Sequence, residues 1–324
     1  MSLGRVLITG GAGFIGSNVA DALLARGDDV VIYDNLRTGR REFIADALER
    51  NAKFVEGDVL DLDSLTAAMS GCDAVIHLAA NADVRHGLEH PRRDLEQNTI
   101  ATSNVLEAMR AAGVGRIAFS STGSVYGEPE VFPTPEDAPF PVQTSLYAAS
   151  KLAGEGMIAA YATGFGLSAV IFRFVSILGE RYTHGHVFDF WRSLRDDAHT
   201  LRVLGDGKQE KSYLYIGDCV AGIFRGLEEH QEQTGAFIYN LGHTETVVVD
   251  DSVAHICSEL GVSPAIEHTG GRRGWTGDSP LIHLDCGKIR GLGWQPQLSI
   301  KEGISRTVSW LSANPYVLEG IEKS

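Results

Sequence analysis

The segment RVLITGGAGFIG, residues 5–16, decides the fold. It begins with a short apolar run that predicts a buried strand, passes through Gly10, Gly11, Gly13 and Gly16, and enters a stretch with apolar residues at helical spacing. Glycines spaced in this way between a strand and a helix let the backbone approach a pyrophosphate, whose charge then lies at the N-terminus of the helix. The segment therefore predicts a dinucleotide-binding turn.

Further along the chain, short apolar runs alternate with helical stretches. The runs are DVVIYD, KFVEGD, AVIHLA, RIAFSS and SAVIFRF. Near-continuous apolar strands separated by helices predict a doubly wound α/β fold with a parallel sheet. After about residue 175 the pattern becomes rich in loops, which predicts a cofactor-binding domain over residues 1–175, with return segments at about 212–243, and a smaller α/β substrate lobe over 176–324.

Composition narrows the choice of partners. The 324 residues include 42 acidic and 28 basic side chains, and a net charge of −14 argues against nucleic acid or an anionic membrane as the main partner. No run approaches the roughly 18 apolar residues of a membrane span. The four cysteines are far apart in sequence and form no C-x-x-C pair, so we expect no disulfide framework, no metal site and a cytoplasmic location.

The second and third strands end in acidic residues. Asp34 ends the second strand, where a carboxylate can accept hydrogen bonds from an adenosine ribose and would repel a 2′-phosphate, so NAD is favoured over NADP. Arg37, Arg40 and Arg41 lie just beyond it and keep NADP open as an alternative. Asp58 follows the third strand and is placed either to reach the adenine or to cap the next turn.

Two segments carry candidate catalytic residues. TSLYAASKLAGE, residues 144–155, places Tyr147 and Lys151 four positions apart, on one face of a predicted helix. FSSTGSVYG ends the fifth strand with Ser120, Ser121 and Thr122, at the carboxyl edge of the sheet where ligands of open α/β folds bind. Helical spacing alone fits a surface pair as well as a functional one.

Taken in order, the glycine turn, Asp34, the hydroxyl cluster and Tyr147-x-x-x-Lys151 resemble the extended short-chain dehydrogenase/reductase family, a Rossmann fold. Within it the chain is most similar to the nucleotide-sugar 4-epimerase branch, typified by UDP-glucose 4-epimerase, over nearly its whole length. The resemblance implies an NAD-dependent enzyme. Tyr147 would take the proton from the sugar 4-hydroxyl, Thr122 would hydrogen-bond the same oxygen, and Lys151 would acidify Tyr147 and hold the nicotinamide ribose.

The energy needed to ionise Tyr147 is within reach of two nearby positive charges. A free tyrosine titrates near pH 10, so half-ionisation at pH 7 requires a shift worth roughly 4 kcal/mol. A single charge at about 4 Å, at an effective dielectric constant of 20, supplies approximately that amount. Lys151 and the positively charged nicotinamide ring together would therefore suffice, less the cost of desolvation.

The resemblance also implies which residues line the cofactor. His77, in the segment HLAA that follows the fourth strand, is interpreted instead as a core histidine at a strand end. The implied cofactor set is Gly10, Gly13, Phe14, Ile15, Gly16, Asp34, Asn35, Asp58, Val59, Leu78, Ala79, Ala80, Asn98, Ser120, Tyr147 and Lys151.

Related dehydratases and decarboxylases need a further carboxylate beside the catalytic hydroxyl. In this chain Gly123 and Ser124 occupy those places, and neither can act as a carboxylate acid or base. Simple epimerisation is therefore favoured, and UDP-glucose/UDP-galactose is the default substrate pair. UDP-N-acetylhexosamine and UDP-glucuronate stay open, as does a non-catalytic NAD-sensing or scaffold protein on the same fold.

The second lobe carries candidate substrate ligands. In LGDGKQEKSYLYIGD, Lys211 stands where the family has a diphosphate-binding arginine, so the charge is kept and the bidentate fork is lost. In RRGWTGD, Arg273 and Asp278 are the implied phosphate and ribose ligands, and Ser176 in RFVSILG replaces a common asparagine. The implied substrate set is Ser124, Ser176, Lys211, Arg273, Asp278 and Ile282.

Helices near residues 95–112 and 146–162 resemble those that form the family's intersubunit four-helix bundle, so we expect a homodimer. Small residues on these helices would permit close helix approach. They are Ala101, Ala108, Ala148 and Ala159.

Overall fold

The computed structural model describes residues 2–82, 87–140, 142–275 and 278–319. In this part of the chain the strands are β1 Arg5–Thr9, β2 Asp29–Asp34, β3 Lys53–Glu56, β4 Ala74–His77, β5 Arg116–Thr122, β6 Ser168–Phe174, β7 Ser176–Leu178, β8 Thr200–Val203, β9 Glu210–Lys211, β10 Tyr213–Tyr215, β11 Gly235–Leu241, β12 Val247–Val248, β13 Ala265–His268 and β14 Leu281–Ile282.

The α-helices of the same residues are α1 Phe14–Ala25, α2 Ala45–Glu49, α3 Leu62–Ala68, α4 Pro91–Asp94, α5 Ala101–Ala112, α6 Leu146–Phe165, α7 His186–Asp196, α8 Ile216–Glu229, α9 Val249–Leu260, α10 Gly287–Arg290 and α11 Ile300–Ala313. Short 3₁₀ turns span Arg41–Ile44, Gly123–Tyr126 and Pro315–Leu318, and a π-helical turn spans Leu95–Ile100.

Seven parallel strands form one sheet in the order β11-β6-β5-β4-β1-β2-β3. The order reverses between β1 and β4, and in open α/β sheets ligands bind at the carboxyl ends of the strands at such a reversal. The six strands predicted from apolar runs are all present, and the predicted doubly wound α/β fold is confirmed. The patterns did not single out β11, whose first half is only partly buried.

The sheet is buried on both faces, as parallel sheets require. Every residue of β4 and β6 is buried. On one face, apolar side chains of the strands pack against α3, α5 and α6. Members of this core include Leu7, Val31, Val75, Ile117, Phe119, Leu65, Val105, Met109 and Ile158.

Helix α6 begins at a well-defined N-cap. The Ser145 hydroxyl accepts a hydrogen bond from the Ala148 amide at 3.1 Å, and α6 runs from there for twenty residues. It ends at Gly166, whose left-handed backbone, with φ of +71°, suits glycine. The cap thus fixes Tyr147 in the first turn and Lys151 one turn later.

The chain divides into two compact units. The first comprises residues 1–174, 220–241 and 285–295 and contains the seven-stranded sheet. The second comprises residues 175–219, 242–284 and 296–324 and contains the small sheets β10-β7, β12-β9-β14 and β13-β8 together with α7, α9 and α11. The roles predicted for residues 1–175 and 176–324 stay predictions.

Three kinds of feature are absent from the described residues. No helix there is both long and apolar enough to cross a membrane. In the same residues no group of three or more His, Cys, Asp or Glu side chains could hold a metal ion. All four cysteines lie in this part of the chain, are buried and form no disulfide.

Candidate active site

The turn after β1 packs too closely for side chains. Gly10 has φ of +69°, and a Cβ on it would lie 2.7 Å from the Ala79 amide nitrogen, in the segment after β4. A Cβ on Gly16 would lie 2.2 Å from the Gly10 carbonyl oxygen. Glycine is therefore required at both positions, and the backbone of β1, α1 and the segment after β4 comes together at the carboxyl edge of the sheet.

The N-terminus of α1 suits a pyrophosphate. Gly13 precedes the helix with an extended backbone and provides no side-chain cap, and the first turn carries no acidic residue. Phe14, Ile15 and Gly16 form that turn. The positive end of a twelve-residue helix attracts an anionic group, so these residues fit the diphosphate of a dinucleotide.

Asp34 is held in place by the glycine turn. Its Oδ2 accepts a hydrogen bond from the Ala12 amide at 3.0 Å, and its Oδ1 accepts one from Leu36 at 2.8 Å. Burial raises the pKa of this carboxyl group, while the two amides lower it. The carboxylate thus lies at the end of β2 where an adenosine ribose is expected, and Arg41, one of the residues that kept NADP open, instead pairs with Glu56 at 2.7 Å.

Asp58 caps the turn that follows β3. Its Oδ1 accepts a hydrogen bond from the Leu60 amide at 2.9 Å, and its Oδ2 accepts one from the Asn35 side chain, also at 2.9 Å. Val59 follows in the same turn. The structure thus brings three members of the implied cofactor set together, with Asp58 in the capping role that the sequence left open.

His77 links three elements of the core. Its Nε2 lies 3.1 Å from the Thr102 hydroxyl, which donates its proton to the Asn98 carbonyl, so Nε2 must be the donor to Thr102. Nδ1 then accepts from Thr9 at 2.7 Å. Burial, together with the charge of Lys151, lowers the pKa of His77 to about 3, so the ring is neutral. These contacts support the interpretation of His77 as a core histidine that holds the segment Leu78–Ala80 against β1.

Asn98 organises the π-helical turn. Its Oδ1 accepts from the Asn81 amide at 2.8 Å, and its Nδ2 donates to the Ser150 hydroxyl, also at 2.8 Å. Ser150 donates in turn to the Tyr147 carbonyl at 2.7 Å. Asn98 therefore connects the segment after β4 to the first turn of α6. Its partners Asn81 and Ser150 were not predicted from the sequence.

Thr122 and Tyr147 meet at the carboxyl end of β5. The Thr122 hydroxyl caps the next turn by accepting from the Ser124 amide at 3.1 Å, and it lies 3.2 Å from the Ser124 hydroxyl. A side-chain hydrogen bond joins Thr122 to the Tyr147 phenol. The two predicted catalytic hydroxyls and Ser124 are thus brought together.

The protein's own groups do not acidify Tyr147. Desolvation raises the pKa of the phenol to about 12, the hydrogen bond with Thr122 lowers it, and the charge of Asp94 raises it again. The sequence predicted that Lys151 would lower this pKa. Lys151 is not among the groups that shift this pKa, and desolvation dominates it. Acidification of the phenol would therefore need positive charge from a bound ligand.

Lys151 is buried on the same helix face. Only 2% of its surface is exposed, its Nζ donates to the Ser120 carbonyl at 2.7 Å, and the ammonium lies 4.6 Å from the centre of the Phe119 ring. Desolvation lowers its pKa to about 7, and the charge of Glu155 opposes that fall. Lys151 is therefore easier to deprotonate than a solvent-exposed lysine.

Sequence reasoning missed two buried residues beside this cluster. Glu155 lies four positions after Lys151 on α6, and it pairs with Arg173 of β6 at 2.7 Å. Glu155 stands in the quoted segment TSLYAASKLAGE, so continuing the helical spacing beyond Lys151 would have found it. Arg173 could not be found in that way, because it reaches Glu155 only through the packing of the sheet.

In the second unit, Lys211 and Asp278 form a buried pair. The Lys211 Nζ lies 2.8 Å from Asp278 Oδ1 and also donates to the Ser279 carbonyl. The Gly274 amide donates to Asp278 Oδ2 at 2.9 Å, and Arg273 donates to the Asp278 carbonyl at 2.8 Å. The predicted phosphate and ribose ligands are thus brought together; Thr276 and Gly277 of the same element lie outside the described residues.

The other predicted substrate ligands of this unit lie on short strands. Ile282 is paired with Lys211 across β14 and β9, and Ser176 begins β7 and is exposed. His186 begins α7 and makes a 2.8 Å hydrogen bond with Ser252; burial lowers its pKa to about 3.

Known proteins resemble the chain in both sequence and structure. The sequence model of the NAD dependent epimerase/dehydratase family matches residues 6–242. A UDP-glucose 4-epimerase of Corynebacterium glutamicum is 34% identical over 90% of this chain and 91% of its own length. A UDP-glucuronate 4-epimerase of Thermodesulfobacterium geofontis is 30% identical over 99% and 100%. The crystal structure of a Thermus thermophilus UDP-glucose 4-epimerase with NAD is 34% identical, with a TM-score of 0.84 over 95% and 99% of the two chains.

The close packing of the glycine turn predicts that Gly16→Ala impairs dinucleotide binding. The added Cβ would overlap the Gly10 carbonyl and displace the first turn of α1, so we expect NAD affinity to fall at least about tenfold, together with a lower melting temperature. Calorimetric titration with NAD and thermal melts would measure both.

The matched control is Gly164→Ala in α6, where a Cβ meets open space. It should keep NAD affinity and gain about 0.5–1 kcal/mol of stability. Equal NAD affinity in Gly16→Ala and wild type would contradict the proposal that the turn from Gly10 to Gly16 and the N-terminus of α1 (the dinucleotide cradle) bind NAD.

Proposed function

The chain belongs to the NAD-dependent epimerase/dehydratase family, and from this premise we propose that it is a 4-epimerase that interconverts UDP-glucose and UDP-galactose through a 4-keto sugar. The observation that carries the proposal is the convergence of Thr122, Tyr147 and buried Lys151 at the carboxyl end of β5, in the same unit as the dinucleotide cradle. These are the groups needed to move one proton at the sugar 4-hydroxyl.

Bound NAD supplies the site that accepts the C4 hydride and returns it to the opposite face of the keto sugar. Tyr147 takes the 4-hydroxyl proton as phenolate and gives it back when the hydride returns. Thr122 hydrogen-bonds the same oxygen and orients it toward Tyr147. Lys151, one helical turn from Tyr147, would help to stabilise the phenolate through its ammonium charge once the positive charge of bound NAD is also present.

The residues around this cluster support epimerisation over elimination. Dehydration requires a carboxylic acid or base beside the sugar, and Gly123 and Ser124 provide none. The buried carboxylates nearby are already hydrogen-bonded within the protein. Glu155 is held by Arg173, and Asp94 accepts from the Asn81 side chain at 2.8 Å. Only the hydride and one proton then need to move.

Tyr147→Phe tests the proposal directly. The variant keeps the ring packing and removes the proton acceptor, so we expect retained NAD and a fall in turnover of at least about a hundredfold. Chromatographic separation of UDP-glucose and UDP-galactose after incubation measures the rate, and Tyr316→Phe, in the Pro315–Leu318 turn of the second unit, controls for the substitution.

Near-normal turnover in Tyr147→Phe would contradict the assignment of Tyr147 as the general base. Wild-type protein that binds NAD but converts no UDP-sugar, including UDP-glucuronate, would favour the non-catalytic NAD-sensing alternative.

Ile282 is proposed to border the C2 substituent of the sugar. It stands four positions after Asp278, and isoleucine fills less space than the aromatic residue that excludes an N-acetyl group in the family. We expect the wild type to act on UDP-N-acetylglucosamine as well as UDP-glucose, and Ile282→Tyr to lose only the acetylated substrate. Ile282→Val, which removes one methylene group, should keep both. Equal use of the acetylated sugar by Ile282→Tyr and wild type would show this view of the pocket to be wrong.

The homodimer is proposed on exposed apolar side chains of the predicted bundle helices. Leu95, Ile100, Leu146 and Phe165 are 39–57% exposed. The sequence-based suggestion that small alanines form the contact is wrong for three of them, because Ala101, Ala108 and Ala148 are buried within the chain, and the first two belong to its core. The larger apolar residues are the better candidates for the interface.

Analytical ultracentrifugation at micromolar concentration should give twice the chain mass of 34.9 kDa. Leu95→Glu/Ile100→Glu should shift the protein to monomer, since it places charges in the proposed interface. Ile266→Glu is the matched control, because Ile266 is 39% exposed and lies on β13 of the second unit. A monomeric wild type would refute the proposal.

A further inference from the structure

We propose that the buried Glu155–Arg173 ion pair is a positioning device for this reaction: it fixes the β5 segment that carries Thr122 and places a carboxylate one helical turn from Lys151. The inference rests on the proposed function. In the proposed reaction, Glu155 and Arg173 touch no reacting atom. They act through Ser121, Tyr126 and Lys151.

Three neighbouring strands present a row of polar side chains to α6. Ser121 of β5 is in register with Arg173 of β6, which is in register with Asn240 of β11. Glu155 approaches this row from α6, with 4% of its surface exposed against 1% for Arg173. Arg173 Nε and Nη2 donate to the two carboxylate oxygens at 3.1 and 2.7 Å, and the Ser121 hydroxyl donates to Oε1.

Arg173 also holds the C-terminal end of residues 121–126, the segment that contains Thr122. Its Nη1 donates to the Tyr126 hydroxyl at 2.7 Å and to the Glu136 carbonyl at 3.0 Å, and Tyr126 donates to Asn240 Oδ1 at 2.7 Å. Ser121 and Tyr126 flank Thr122. One ion pair therefore anchors both ends of residues 121–126, and misplacing a reacting group by about 1 Å costs about a hundredfold in rate.

The second action is electrostatic. Burial lowers the pKa of Lys151, and Glu155, one helical turn away, raises it. A carboxylate at this distance therefore keeps the ammonium protonated to higher pH. Among the described residues, Glu155 on α6 raises the pKa of Lys151, and the charge of Lys151 lowers the pKa of His77 on β4. Tyr147 lies one turn away on α6, Arg173 on β6 pairs with Glu155, and Asp94 on α4 acts on Tyr147.

A purely structural role makes a different prediction. Replacing a buried ion pair by uncharged residues of similar size is often neutral for stability, whereas removing one partner leaves a costly unpaired charge. If the pair only stabilised the fold, an uncharged double replacement would keep wild-type kinetics.

Ser121→Ala and the double variant Glu155→Gln/Arg173→Met test the two actions. Ser121→Ala leaves the ion pair intact and should lower kcat about tenfold with KM for UDP-glucose nearly unchanged, because Thr122 is less well placed. Its control is Ser305→Ala, which removes a comparable hydrogen bond, from Ser305 to Glu259 at 2.9 Å, from the surface of the second unit.

In the double variant, Lys151 loses its proton at lower pH because the carboxylate that raises its pKa is gone. The Arg173 charge is removed as well, but it is not among the groups that shift the pKa of Lys151. We expect the alkaline limb of the kcat profile to move down by about one pH unit. The same shift should appear in the titration of Lys151 followed by NMR with ¹³C-labelled lysine, assigned through Lys151→Arg. This second readout does not require turnover.

The outcomes separate this inference from the proposed function. An inactive wild type defeats the proposed function, and the Lys151 titration then decides the inference by itself. With active wild type, an unchanged Lys151 titration in the double variant overturns it, and so does wild-type kcat in Ser121→Ala. If the double variant does not fold, Ser121→Ala decides alone.

Discussion

The turn after β1 packs so closely against the start of α1 that no Cβ fits between them. This close packing constrains the proposed dinucleotide site. Gly16 lies against the Gly10 carbonyl, and Gly10 lies against the backbone of Ala79. These two approaches bring the helix N-terminus and the segment after β4 to one edge of the sheet. Asp34 joins the same arrangement by accepting from the Ala12 amide inside the turn.

On the other side of the strand-order reversal, at the end of β5, desolvation dominates the pKa values of the two candidate catalytic residues of α6. Burial raises the pKa of Tyr147 and lowers that of Lys151, so both groups are driven toward their neutral forms. A neutral phenol beside a neutral amine would be a resting state that does not abstract a proton. A charged group outside the pair is therefore needed to favour the ionised forms. The carboxylate of Glu155 raises the pKa of Lys151 and so favours its ammonium form. A ligand with a positive ring would favour the phenolate form of Tyr147.

Local pattern predicted much of this structure, since the glycine turn, the strand ends and the Tyr147–Lys151 spacing are all short-range features. It did not predict Arg173 and Asn240, because the contact of Arg173 with α6 and its link through Tyr126 to Asn240 depend on strand register across β5, β6 and β11. The same reason explains the error about Ala101 and Ala108. Helical spacing shows that residues share a face, but not whether that face meets its own core or another chain. The pairing of Lys211 with Asp278 likewise joins positions far apart in sequence.

Helix α6 combines these short-range and long-range features. Its residues 147, 151 and 155 lie at successive turns of one face, and each contacts the end of β5: Tyr147 through Thr122, Lys151 through the Ser120 carbonyl, and Glu155 through Ser121. Three consecutive strand residues are thus matched to three helical turns. Because the N-cap at Ser145 sets where α6 begins, it places Tyr147 in the first turn and the other two residues in the turns that follow. Tyr147, Lys151 and Glu155 are consequently positioned by one helix against one strand end.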